Sequence, residues 1–152
     1  MKITGIKTNI FSSFHSNAKR NWLIVRLTTD EGFEGLGEAS MLDYDPSLVT
    51  LLEEWTERYL VGKDPQHHEL HWTRMYNDNL GRGGRLFSTV LSGIDLALWD
   101  LKGKALGVPV YELLGGPFMD RIRVYANGWY TTPGAPELNA KEAKAVVAKG
   151  YT

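Results

Sequence analysis

The sequence contains no cysteine, which excludes a disulfide scaffold, a thiolate metal site and a cysteine nucleophile. That absence fits a reducing compartment without requiring one. Net charge is scarce too: 17 Lys and Arg stand against 18 Asp and Glu, a formal −1. There is thus no electrostatic ground for nucleic-acid binding. No apolar run approaches the roughly 20 residues of a membrane-spanning helix. The N-terminus, Met1 to Phe11, lacks the continuous apolar stretch of a secretory signal. Internal repeats and low-complexity segments are missing as well. What is present is a 152-residue chain, 43% hydrophobic and 11% aromatic, able to bury a core and so not expected to be disordered. Its length suits one domain, or one domain plus part of another. A soluble, cytoplasmic chain with no nucleic-acid or membrane partner is expected.

The first forty residues read as β. Ile3 to Phe11 is strand-like, and Trp22 to Thr29 places Leu23, Val25 and Leu27 on one face. Asp30-Glu-Gly32 predicts a hairpin turn with Gly32 at positive φ. Phe33 to Ala39 predicts a third strand, whose Gly35 and Gly37 signal a bulge or a close backbone approach. Between the first two strands, Ser12 to Asn21 reads as a loop too long and polar for a tight hairpin, and such a loop needs another reason to exist.

Helices follow. Asp45-Pro46 predicts an N-cap with proline in the first turn, and Leu48, Leu51, Leu52, Trp55 and Tyr59 form an apolar stripe. Gly62 stops that helix. Asp64-Pro65 starts another by the same device, running to about Asn79, and Gly81-Arg-Gly-Gly-Arg85 breaks the chain. The next helix carries Phe87, Val90, Leu91, Ile94, Leu98, Leu101 and Ala105 at three- and four-residue spacing. Gly93 and Gly103 within it cost about 1 kcal/mol each relative to alanine, which points to close packing against a neighbour. A short proline-started helix and a second glycine stop lead to Gly116. Ile122 to Ala126 then predicts a short strand. Asn139 with Glu142 predicts a capping box for a helix running to Lys149, with Gly150 as its stop. Such a βα unit cannot close a parallel sheet alone, so the chain is expected to stop where a second parallel strand is due.

Several motifs suggest chemistry. His67-His-Glu-Leu-His71 fails the His-Glu-x-x-His zinc pattern, because Trp72 follows His71. His67 and His71 at i, i+4 could share a ligand; the competing reading is a solvated helix face. Gly81 to Arg85 matches neither phosphate-loop pattern and follows a helix rather than a strand, so a plain connection is expected. Asp95 and Asp100 lie about 140° apart around a helix, which suits anchoring contacts with Lys102 or Lys104 better than an acid–base pair. Lys19 and Arg20, beside His15 and Trp22 at the unexplained loop, have two readings. They are either two cations gripping a carboxylate or a solvated surface pair.

Taken together, Thr29 to Glu38, Gly62-Lys-Asp-Pro65, Gly83-Gly84, Ser92 to Gly116 and Asp120 to Asn127 resemble the start of an enolase-superfamily enzyme of the mandelate racemase-like group. The resemblance covers the whole chain. It implies an α+β capping domain over residues 1–117, made of a three-stranded antiparallel sheet and a helical bundle. Residues 118–152 would then hold the first strand and helix of a truncated (β/α) barrel of the TIM type. In such enzymes the loop between the first two strands closes over the active site, which would make His15, Lys19, Arg20 and Trp22 substrate-binding. Asn127 and Trp129 would join them from the C-terminal end of the first barrel strand.

The family reaction begins with proton abstraction next to a carboxylate, and Mg²⁺ stabilises the enediolate. Its metal ligands and catalytic base lie on later barrel strands, so none is assigned within residues 1–152. Val124 to Tyr130 is most similar to acid-sugar dehydratases of the gluconate and galactonate kind, which are carbon–oxygen lyases. The expected substrate is therefore a sugar acid and the expected assembly a homo-oligomer. A racemase or cycloisomerase is the alternative within the superfamily. A free-standing α+β binding module is the alternative outside it, and the orphan βα unit argues against that.

Overall fold

Alternation sets the first layer. In β2, Ala18–Thr29, the side chains of Leu23, Val25 and Leu27 are fully buried, because a period of two sends every second residue to one face. The computed structural model describes residues 1–15, 18–41, 43–79, 83–130 and 135–151. Its two compact units are Met1–Gly116 and Pro117–Thr152. In the first, β2 is the centre of a three-stranded antiparallel sheet, between β1, Ile3–His15, and β3, Glu34–Glu38. The turn into β3 is as predicted: Gly32 has φ 83°, and the Thr29 N–H donates to the Phe33 carbonyl at 3.1 Å.

The first connection differs from expectation. Ser12–Asn21 is not a loop, since β1 and β2 stay paired through Ser12↔Asn21, Ser13↔Arg20 and Phe14↔Lys19 to His15↔Ala18. Residues 16–17 lie outside the described ones. Polar composition concealed the strands, because Ser12, Ser13, Arg20 and Asn21 show no apolar alternation. β3 pairs only with Ile24–Thr28, so beyond it the sheet narrows to this ribbon.

Helices α1, Asp45–Tyr59, α2, His68–Asn77, and α3, Arg85–Leu106, complete the layer against the sheet. Leu48, Leu52, Trp55 and Tyr59 of α1 are buried, as are Val90, Ile94, Leu98 and Leu101 of α3. Trp55 meets Phe87 edge-on at 5.2 Å between ring centres. The seam between α3 and β3 is unusually close. A Cβ on Gly35 would stand 2.1 Å from the Ala97 carbonyl oxygen, and one on Gly37 2.1 Å from that of Gly93. A Cβ on Gly93 would in turn stand 2.7 Å from that of Ala39. The glycines of β3 therefore mark a close backbone approach.

β3 is an edge strand, and α3 supplies what its open edge lacks. The Leu36 N–H donates to Asp100 Oδ2 at 2.7 Å, and Lys104 Nζ reaches both the Glu34 carbonyl, at 2.9 Å, and Asp100 Oδ2, at 2.6 Å. Asp100 and Lys104 are thus anchors, as their spacing suggested. Gly62 at φ 75° ends the α1 turn, and its N–H donates to the Ile3 carbonyl at 2.8 Å, tying β1 to the helices.

Some boundaries shift. Asp45 is the first residue of α1 rather than its cap, and its carboxylate accepts from Asn21 instead. Asp64-Pro65 forms a turn, with the Gln66 N–H donating to Asp64 Oδ1 at 2.9 Å, and α2 begins only at His68. The short helix α4, Val110–Leu113, follows Pro109, and Gly115 and Gly116 take φ of 111° and 88°. Gly81 and Arg82 of the expected connection lie outside the described residues.

In the second unit, Ile122–Ala126 forms no strand. No strand ladder includes that segment among the described residues, and Ile122, Val124 and Tyr125 are 78%, 68% and 78% exposed. Helix α5, Pro136–Val147, starts a turn before Asn139, so no capping box forms there. Pro136, in the first turn, fixes φ for the helix and sets the earlier start. Among the described residues no helix is long and apolar enough to cross a membrane.

Replacing Gly37 by alanine should destabilise the protein by about 2–3 kcal/mol, since backbone rather than a flexible side chain blocks the new methyl. Gly5→Ala, with nothing within 4 Å of its Cβ, should stay within about 0.5 kcal/mol of wild type. Urea unfolding of the two variants checks the contrast, and equal midpoints would refute the seam.

Candidate functional site

The ribbon end carries four of the six residues singled out from the sequence. In the register Lys19 stands opposite Phe14, His15 opposite Ala18, Arg20 opposite Ser13 and Trp22 opposite Phe11. Successive strand residues alternate between faces. Lys19 and Arg20 therefore occupy register positions on opposite faces of the ribbon, whereas the paired-cation reading set them side by side in a loop.

Arg20 and Trp22 share the face turned away from the helices. Both are exposed, and Phe11 lies beside Trp22. Ser13 links them: Trp22 Nε1–H donates to Ser13 Oγ at 3.2 Å, and Ser13 Oγ–H donates to the Arg20 carbonyl at 3.4 Å. This face offers one cation, a hydroxyl and two aromatic rings, a combination suited to a hydroxylated anion.

The opposite face holds a group that the sequence reading missed. Ser12 Oγ–H donates to Asn21 Oδ1 at 2.8 Å, and Asn21 Nδ2–H donates to Asp45 Oδ2 at 2.5 Å. Asp45 is 7% exposed, and its other oxygen is buried without a partner. One signal was present in the sequence: Asn21 continues the alternation of Leu23, Val25 and Leu27, so a polar side chain was due on the inward face. Next to Asp45, Tyr44 lines a largely apolar cavity of about 630 Å³ together with Met41, Trp55, Arg85 and Phe87.

His67, just before α2, and His68 and His71 within it do not converge as a set of metal ligands. Among the described residues no group of three or more potential ligands converges. His67 is exposed, but His68 and His71 are buried, which overturns the solvated-face reading. His68 Nε2 pairs with Asp95 Oδ1 at 2.7 Å, and its ring packs 4.3 Å from that of Trp99, joining α2 to α3. His71 Nε2 lies 2.7 Å from the Asp64 carbonyl. A carbonyl only accepts, so this nitrogen carries the hydrogen. His71 Nδ1 is buried with no partner. Burial pushes the His71 pKa below its ordinary value of 6.5, the Asp64 bond opposes that shift, and the charges of His67, Arg74 and His68 reinforce it.

Asn127 and Trp129 belong to the second unit. Asn127 Oδ1 accepts from the Gly128 N–H at 2.9 Å, and Trp129 packs edge-on to Tyr130 at 5.5 Å. The asparagine is exposed and the tryptophan half-buried.

Comparison with known proteins adds a family. Residues 3–115 match the model described as mandelate racemase / muconate lactonizing enzyme, N-terminal domain. A D-galactonate dehydratase of Variovorax paradoxus (strain S110) is 46% identical over 105 residues, which is 69% of this chain and 27% of that protein. One from Xanthomonas campestris pv. campestris (strain B100) is 43% identical over 135 residues, 89% of this chain and 33% of that protein. The crystal structure of a member of the enolase superfamily from Salmonella Typhimurium superposes with a TM-score of 0.85 at 32% identity. That match covers 99% of this chain and 40% of the other. The chain thus spans about a third of the length of the curated relatives it matches.

The state of His71 has a consequence for stability. The unfolded chain protonates this residue near its ordinary value of 6.5, and the folded chain only at lower pH. Stability is therefore unaffected above that value and falls as pH drops from 6.5 toward the folded pKa. His71→Gln, which keeps an N–H to offer Asp64, should flatten this part of the curve. Melting temperatures between pH 7.5 and 5 test this, and an acid slope unchanged in the variant would refute it.

Proposed function

The chain belongs to the mandelate racemase / muconate lactonizing enzyme N-terminal domain family, and on that premise we propose that the polypeptide carrying it is a sugar-acid dehydratase. The proton next to the substrate carboxylate passes to a base, the 3-hydroxyl leaves as water, and the enol collapses to a 2-keto-3-deoxy acid. The observation carrying this reading is the 43% identity to a D-galactonate dehydratase over 135 residues, which extends into the second unit.

Mg²⁺ is part of the reading, to stabilise the enediolate. Mg²⁺ requires near-octahedral oxygen ligands, and the described residues bring no such group together. Our reading places its ligands and the catalytic base beyond Thr152.

What this chain would contribute is substrate binding. Arg20 would meet the carboxylate, and Trp22 with Phe11 would shield the site from water, which strengthens every charge interaction inside it. Asn127 and Trp129 remain proposed contacts from the second unit.

Two measurements test the proposal. The full-length protein with Mg²⁺ should release a 2-keto acid from galactonate or gluconate, a chelator should abolish that release, and Mg²⁺ should restore it. No product from any six-carbon aldonate, or racemisation in place of elimination, would end the dehydratase reading. In the same assay Arg20→Ala should lower kcat/KM by about tenfold or more, the scale of one charge-assisted hydrogen bond. Lys19→Ala should change it by less than about threefold, because the register sets that position on the other face. Equal losses from both would contradict the one-face assignment.

A further inference from the structure

The ribbon end projects past β3 and so lacks the third strand that supports the rest of the sheet. It nonetheless has a fastening to the helical layer. Ser12 Oγ, Asn21 and Asp45 form a continuous chain of hydrogen bonds at 2.8 and 2.5 Å, running from β1 through β2 to the first turn of α1. We propose that Asn21 is a positioning residue, a strut holding the ribbon against α1 so that Arg20 and Trp22 are presented in one fixed place. This inference rests on the substrate-facing reading of the ribbon given above.

Three observations carry it. Asn21 uses both ends of its amide, accepting from one strand and donating to the helix, so it links elements that share no ladder. Its partner Asp45 is nearly buried and sits in the first turn of α1, where backbone N–H groups favour a carboxylate. With Oδ1 of Asp45 unpartnered, the Asn21 amide donates to the other carboxylate oxygen. Losing it would strand a buried charge, so the contact is costly to open. Finally, the strut is one register step from Arg20 and from Trp22. A shift of Asn21 therefore moves both outward-facing residues with it.

The same bond also fixes the entry to α1. Tyr44, which lines the 630 Å³ cavity, directly precedes Asp45. Asn21 thereby sets the ribbon and the cavity wall relative to each other through its hydrogen bond to Asp45.

The test uses the full-length protein and two independent readouts. In Asn21→Ala, hydrogen–deuterium exchange of peptides spanning residues 9–24 should accelerate by tenfold or more, while peptides from α3 keep their wild-type rate. This arm needs no substrate, so it decides the strut even if no sugar acid is turned over, and that failure would belong to the dehydratase reading alone. In the kinetic arm, Asn21→Ala and Arg20→Ala should each lower kcat/KM about tenfold, and the double variant should fall no further. Additive losses would show that Asn21 acts only through stability. Asn21→Ala/Asp45→Ala separates the two effects: removing the stranded carboxylate should restore the melting temperature but neither the exchange rate nor kcat/KM. Unchanged exchange in Asn21→Ala overturns the proposal.

Discussion

The approach of β3 to α3 is the constraint on which the first unit depends. With the Ala97 and Gly93 carbonyl oxygens 2.1 Å from where Cβ atoms of Gly35 and Gly37 would lie, helix and strand meet backbone to backbone. Only a strand with glycines at alternate positions, facing a helix with small residues four apart, allows that distance. The closeness then becomes useful. It brings Asp100 and Lys104 within hydrogen-bonding reach of the Leu36 N–H and Glu34 C=O, the open edge of the sheet. An edge strand that would invite another chain is closed by a helix of its own chain.

A short β3 follows from the same geometry. The strand runs Glu34–Glu38, and after the Ala39 N–H donates to the Leu23 carbonyl the chain turns away toward α1. β1 and β2 continue without it. What projects is a two-stranded ribbon, marginal in water unless something holds it. The Ser12–Asn21–Asp45 chain meets that need. Support for the proposed contact residues comes from a few polar bonds rather than from the core.

Much of this was legible beforehand. Alternating Leu23, Val25 and Leu27 specified β2 and its inward face, and the α3 stripe specified a long buried helix. Gly93 and Gly35 signalled close approach, since glycine inside an element needs a reason. The ribbon was not legible, because strand recognition relies on apolar alternation and Ser12, Ser13, Arg20 and Asn21 supply none. For that reason Lys19 and Arg20 looked like loop neighbours able to converge, whereas a ladder places them apart. Ile122 to Ala126 carries a strand's apolar pattern, but a strand is defined by a bonded neighbour, and no ladder includes that segment among the described residues. Asn21 was legible in principle, as a polar residue in phase with three buried ones, but its partner Asp45 lies 24 positions away. Nothing local announces such a pairing.

The histidines of α2 show why a motif must be weighed by what its neighbours require. Spacing alone set His67 and His71 as potential co-ligands, yet each buried histidine is taken up by a different element. His68 turns to Asp95 on α3, and His71 turns back to the carbonyl of Asp64 before its own helix. A histidine with one nitrogen in a buried hydrogen bond keeps its other nitrogen for a ligand, but among the described residues no group of three or more potential metal ligands converges. Arg20 and Trp22 differ in being exposed, joined through the Ser13 hydroxyl. Groups that stabilise the fold are committed inward, whereas groups free to meet a ligand stand where the fold makes little demand on them. By that criterion the outer face of the ribbon, rather than the histidine cluster, is the face to which the proposed substrate contacts belong.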